Sequence, residues 1–118
     1  MKLITIEQHT QLLANGYAAR EAARAGRDID LMPVVKLVVR SHCKRWLLTA
    51  IDFIDSDRAY GLVDPGDGRP YLGFVSLKGL DNYRSDLGRP VERDLHFVAD
   101  KPLSAYAEIA YTRGLIIT

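Results

Sequence analysis

The sequence predicts an α+β domain built on an antiparallel sheet of four or five strands, with helices mainly on one face. Three observations predict it. The stretch RWLLTAIDFIDSDRAYGLVDPGDGRPYLGFV, residues 45–75, holds three branched, aromatic and aliphatic runs separated by two aspartate-rich turns. That is the pattern of an antiparallel meander. A further branched run, Val34 to Val39, stands before it. Helical spacing with cap signals stands at both ends of the chain.

Thr5 with Gln8 makes a capping box that opens a helix over Ile6 to Ala14, with Ile6, Leu12 and Leu13 as its apolar contacts. Asn15-Gly16 reads as its stop, because glycine accepts the left-handed conformation that closes a helix; the alternative is one long helix whose internal glycine costs about 1 kcal/mol relative to alanine. A second, alanine-rich helix runs from Tyr17 to Ala25. Residues 1–28 thus form a helical segment, and residues 33–118 form the core of the same single domain. In the meander, Trp46, Leu48 and Ala50 alternate with Leu47, Thr49 and Ile51, so this strand is covered on both faces. Ala59 to Val63 and Tyr71 to Val75 are the next strands, joined through the turn Asp64-Pro65-Gly66-Asp67-Gly68. Ser76 caps a short helix to Tyr83. Val91 to Val98 reads as a strand with Leu95 and Phe97 facing inward and Glu92, Asp94 and His96 facing out. Asp100 and Pro102 open a last helix that Gly114 ends. Leu115 to Ile117 is an apolar tail with the character of an edge strand, and therefore a candidate homodimer contact.

A length of 118 residues is one domain, large enough to bury a core. A formal net charge of +1 argues against a strongly basic nucleic-acid binder and against an acidic mimic of DNA. The single cysteine, Cys43, forms no internal disulfide and fits a reducing compartment. No signal peptide and no apolar run of about 18 residues is present, so a cytoplasmic protein away from the membrane is expected.

Several side-chain groups invite a chemical reading. On one strand face, Asp94 would orient His96 or share a metal with it, with Glu92 beside them. The plainer reading is a solvated face with surface ion pairs. Arg20, Arg24, Lys44, Arg45 and Trp46 could form a nucleic-acid face, although Glu21, Asp28 and Asp30 interrupt the basic run. Asp52, Asp55, Asp57, Asp64 and Asp67 gather at turns, but their spacing lacks the glycine and distal glutamate of a calcium loop. Their turn-forming hydrogen bonds account for them. Cys43 next to His42 and Lys44 is a candidate nucleophile, yet no third partner is evident. No phosphate-binding glycine motif occurs, and no cofactor is expected.

PVVKL from Pro33, WLLT from Trp46, AYGLVD from Ala59, YLGFVSL from Tyr71, and PVERDLHF with DKPLSAYAE from Pro90 to Glu108 resemble the DUF2958 family of small bacterial proteins. LLANG from Leu12 resembles its N-terminal segment. The loop from Arg40 to Lys44 and the helix after Gly16 depart from it. The family has no known reaction to carry over. The resemblance implies a setting on plasmids and other mobile elements, beside genes that interfere with host defence. With no convergent catalytic set, the expectation is a non-enzymatic protein-binding module, an inhibitor of anti-CRISPR or anti-restriction type. A small metal-dependent hydrolase using Asp94 and His96, and a weak nucleic-acid-binding module, are the alternatives.

Overall fold

The computed structural model describes residues 3–118, so the first two residues of the predicted N-terminal segment lie outside it. The elements run α1 (Ile6–Arg24), β1 (Val35–Val39), β2 (Lys44–Ile51), β3 (Arg58–Asp64), β4 (Tyr71–Ser76), α2 (Leu77–Asn82), β5 (Glu92–Arg93) and α3 (Leu103–Arg113). The five strands form one antiparallel sheet in the order β4-β3-β2-β1-β5. The chain is an α+β protein with α1 and α2 on one face and α3 alone on the other.

The capping box forms as expected. Thr5 Oγ1 accepts the Gln8 N–H, and Gln8 Oε1 accepts the Thr5 N–H, each at 3.0 Å. The break expected at Gly16 does not form; α1 is one helix of 19 residues. Gly16 is there for proximity. A Cβ at this position would lie 1.7 Å from the Ile51 carbonyl oxygen of β2. Only a residue without a side chain lets the helix backbone touch the strand. Asn15 completes the contact by donating from Nδ2 to the Thr49 carbonyl at 2.8 Å. Of the three expected apolar contacts of α1, Leu12 is buried, whereas Ile6 and Leu13 face solvent.

That contact sits on a β-bulge. Leu48 pairs with Gly61 and Ala50 with Tyr60, so Thr49 is one extra residue in β2. The extra residue keeps its polar groups satisfied, because its hydroxyl donates to the Tyr60 carbonyl at 3.2 Å. A bulge reverses the alternation beyond it. Ile51 therefore packs with Trp46 and Leu48, not with Leu47 and Thr49 as strict alternation predicts. The core over this face joins Leu12 of α1 to Val35, Leu37 and Val39 of β1 and to Leu77 and Leu80 of α2.

On the opposite face, Leu103, Tyr106, Ala107 and Ala110 of α3 pack on Leu47 and Leu62. The side chain of Asp100 does not cap this helix. It accepts from Lys101 and from the Tyr106 hydroxyl instead. Capping comes from a distant residue: Asp30 accepts the Ser104 N–H at 3.1 Å and is also bonded to the Ser104 hydroxyl. Gly114 ends α3 in the left-handed conformation, φ 79°. The tail that follows is not a strand. It crosses this face, with Ile116 buried and its N–H donating to Asp64 Oδ2 at 2.9 Å. Fully buried Asp64 also accepts the Gly66 N–H at 2.9 Å, so one carboxylate holds both a turn and the C-terminal segment. Thr118 accepts from Lys36 at 2.7 Å.

The strand expected over residues 91–98 shrinks to Glu92–Arg93. Asp94 Oδ1 accepts the His96 N–H at 2.9 Å, which turns the backbone out of the sheet. Leu95, expected inward, is 74% exposed.

Gly16→Ala is expected to lower stability by about 1–3 kcal/mol through overpacking against β2. Helix propensity alone would give the opposite sign, a gain of about 1 kcal/mol. Urea unfolding of the two proteins decides between them, and a gain would show that the helix–strand approach imposes no constraint.

Candidate functional site

The residues singled out from the sequence do not assemble into one site. Because β5 ends at Arg93, Glu92, Asp94 and His96 do not share a strand face. Glu92 is ion-paired with Arg40. Asp94 lies 3.6 Å from Lys36 Nζ, and His96 is exposed. The His96 N–H, followed by the charge of Lys36, holds the Asp94 carboxyl below its ordinary value of 3.8. Among the described residues, no three His, Cys, Asp or Glu side chains form a group that could hold a metal ion. The basic residues are scattered as well. Trp46 is 7% exposed and belongs to the core under α1. Arg45, its neighbour on β2, points to the other face, opposite Asp64 of β3. Lys44 donates to the Pro65 carbonyl at 3.2 Å. Arg20 lies at the far end of β2, roughly 20 Å away at about 3.3 Å per strand residue, and Arg24 lies in the last turn of α1.

What the fold does assemble is a cleft at the Ile51 end of β2, with a volume of about 730 Å³. Three features open it. Leaning on Leu47 and Leu62, α3 covers Tyr60 only in part and leaves Leu72 and Phe74 of β4 exposed, while buried Thr49 contributes to the lining. The connection carrying Ile29 and Leu31 forms one wall, fastened by the bonds of Asp30 to Ser104 and by the Leu103 N–H to the Leu31 carbonyl at 2.9 Å. The turn after β2 supplies Phe53 and Ile54 as the other wall.

This size suits one or two large side chains or a small ligand. Apolar groups dominate the surface, and two guanidinium groups stack on its aromatic rings. Arg20 lies 4.3 Å from the Phe53 ring centre, and Tyr17 packs on the same ring at 5.6 Å. Arg58 lies 3.8 Å from the Phe74 ring centre, and Tyr60 meets that ring edge-on at 5.0 Å. Each stack holds an aromatic side chain in place at the solvent boundary. Phe53 and Phe74 are half exposed, and Ile54 at the tip is 82% exposed. The polar side chains of the wall are Arg20, Asp28, Asp30, Asp52, Thr49 and Ser104, with no cysteine or histidine among them. Asp30, Ser104 and Thr49 already bond within the fold. The wall is mostly apolar, and its polar side chains that bond within the fold are tied to neighbouring elements.

Sequence reasoning passed over Phe53, Ile54, Leu72 and Phe74. One signal for the first two was present: a pair of large apolar residues inside a turn bounded by Asp52 and Asp55. Turn formation has no use for them, and no core position follows.

Asp94→Ala is expected to cost about 0.5–1 kcal/mol, the worth of the turn hydrogen bond it removes, while His96→Ala stays within about 0.5 kcal/mol of wild type. Because the folded Asp94 pKa is depressed, its contribution is fully present above the ordinary value of 3.8 and is lost as pH falls through the lower folded value. Unfolding of both variants between neutral and acid pH checks this. A large loss in His96→Ala would give that ring a role the structure does not show.

A family profile described as "Protein of unknown function (DUF2958)" matches residues 3–117. No curated protein and no solved structure matches the chain. The profile spans the sheet, all three helices and the tail bound by Asp64, together with every wall of the cleft, and the chain therefore belongs to the DUF2958 family.

Proposed function

We propose that this protein is a non-enzymatic binding module whose cleft receives an apolar anchor from a protein partner. The observation that carries the reading is the cleft of about 730 Å³, with half-exposed Phe53 and Phe74 each braced by an arginine. Binding energy between proteins concentrates where an aromatic or aliphatic side chain fills a rigid apolar pocket ringed by polar groups. Stacking on Arg20 and Arg58 reduces the motion that binding would otherwise have to freeze. No helix among the described residues is long and apolar enough to cross a membrane, and our proposal places the protein in the cytoplasm. The mobile-element setting implied by the family resemblance makes a host defence protein, of restriction or CRISPR type, the target class we put forward.

The test is affinity capture from a bacterial lysate, with nuclease-treated and untreated halves, using wild type, Phe53→Asp and His96→Ala. A protein retained equally in both halves by wild type and His96→Ala, but at least tenfold less by Phe53→Asp, is the expected result; tenfold corresponds to about 1.4 kcal/mol. Equal retention by Phe53→Asp would remove the cleft from the interface. Retention lost on nuclease treatment would move the function to nucleic acid.

A further inference from the structure

We propose that β4 is a self-association edge, on which a second copy of this chain pairs antiparallel about a two-fold axis at Gly73. The pairing stands on the sheet edge alone; its consequence for the cleft rests on the proposed function.

The free hydrogen-bonding groups of β4 follow from two bonds. The Leu77 N–H donates to the Asp57 carbonyl at 2.8 Å, in the same register that pairs Arg58 with Ser76. Antiparallel pairs alternate between bonded and non-bonded. Gly73 and Val75 therefore turn their backbone groups to β3, and Leu72, Phe74 and Ser76 turn theirs outward. The bond from the Asp52 N–H to the Arg58 carbonyl at 2.7 Å agrees, because it puts Arg58 and hence Tyr60 on the β2 side of β3. No other described strand pairs with this edge.

Nothing protects the edge by the usual devices. Its six residues, YLGFVS, carry no charge, no proline and no register shift against β3. That same absence of charge suits it to itself, since a symmetric pair places no like charges opposite one another. With Gly73 on the axis, Leu72 of each copy faces Phe74 of the other and exchanges two hydrogen bonds with it. The Ser76 N–H meets the Pro70 carbonyl, and the Ser76 carbonyl, which would face the N–H that proline lacks, is the N-cap carbonyl that accepts the first intrahelical bond of α2. Shifting the axis to Phe74 would instead bring the two Arg58–Phe74 stacks together, with like charges in contact. Gly73 has no side chain to collide at the axis, and the Tyr71 ring already covers it. The second copy's Leu72 would then extend the cleft floor beyond Leu72 and Phe74, so that two clefts open on the same side of one ten-stranded sheet.

A strand pair of this length is smaller than the roughly 800 Å² per partner of a standard interface. The dimer is therefore expected to dissociate on dilution. Light scattering after gel filtration, over about 1–500 µM, is expected to show a twofold rise in mass for wild type and for Phe53→Asp, which removes the cleft anchor alone. Gly73→Lys and Leu72→Pro, each checked by thermal unfolding, are expected to stay monomeric. Register is read in a Cys43→Ser background, where Gly73→Cys is expected to cross-link on mild oxidation. Non-bonded antiparallel partners have Cα atoms about 4.5 Å apart, within disulfide reach. Asp86→Cys, at an exposed site off the edge, is expected to remain uncross-linked. A wild type that stays monomeric at the top of the range, or a dimer that survives both edge substitutions, overturns the proposal. Equal cross-linking of Gly73→Cys and Asp86→Cys overturns the register.

Discussion

Helix α1 reaches the sheet only because of what happens at Thr49. One extra residue in β2 leaves a carbonyl without its ladder partner, and Asn15 takes it at 2.8 Å. Next to that bond, Gly16 brings the helix backbone onto the Ile51 carbonyl. Gly61 does the corresponding service from β3, where a Cβ would lie 1.9 Å from the Leu47 carbonyl oxygen. Two glycines and an asparagine thus accommodate one irregularity. A bulge increases local twist and bends its strand. Here it also returns Ile51 to the α1 face, which closes that core at its end.

The other face is held differently. It has one helix, and the space beyond is covered by a chain segment without regular structure. Such a segment cannot satisfy its own backbone groups. Asp64 supplies an acceptor to Ile116, and Lys36 reaches Thr118. A buried carboxylate is tolerable when its oxygens accept hydrogen bonds. Both Asp64 oxygens accept backbone N–H groups, one from Gly66 and one from Ile116. Asp30 plays the matching role at the start of α3, and so fixes the connection that walls the cleft.

The cleft follows from these two arrangements. The seat of α3 leaves Leu72 and Phe74 of β4 exposed beside the ends of β2 and β3, and the arginines of α1 and β3 stack on the rings of Phe53 and Phe74 at its rim. Apolar surface and an unpaired strand edge therefore lie side by side at this end of the sheet.

Local chemistry was legible in the sequence wherever a few neighbouring residues decide the outcome. The capping box at Thr5, the cap at Ser76, the turn at Asp64 and the stop at Gly114 depend on backbone groups within four positions, so their residue types announce them. The meander and the α+β class follow from alternation and turn composition in the same way. Gly16 could not be read locally, because glycine serves equally as a helix stop and as a point of close approach. Only the Ile51 carbonyl, 35 positions away, selects between them. Alternation on residues 91–98 was equally ambiguous, and the bond from the His96 N–H to Asp94 decided for a turn. The cleft was the least legible part. Trp46 and Phe53 are both aromatic residues near basic ones, yet one is core and the other lines the cleft. Tertiary structure makes that choice, since burial depends on where α1 and α3 come to rest, and those positions are set by contacts between residues far apart in the chain.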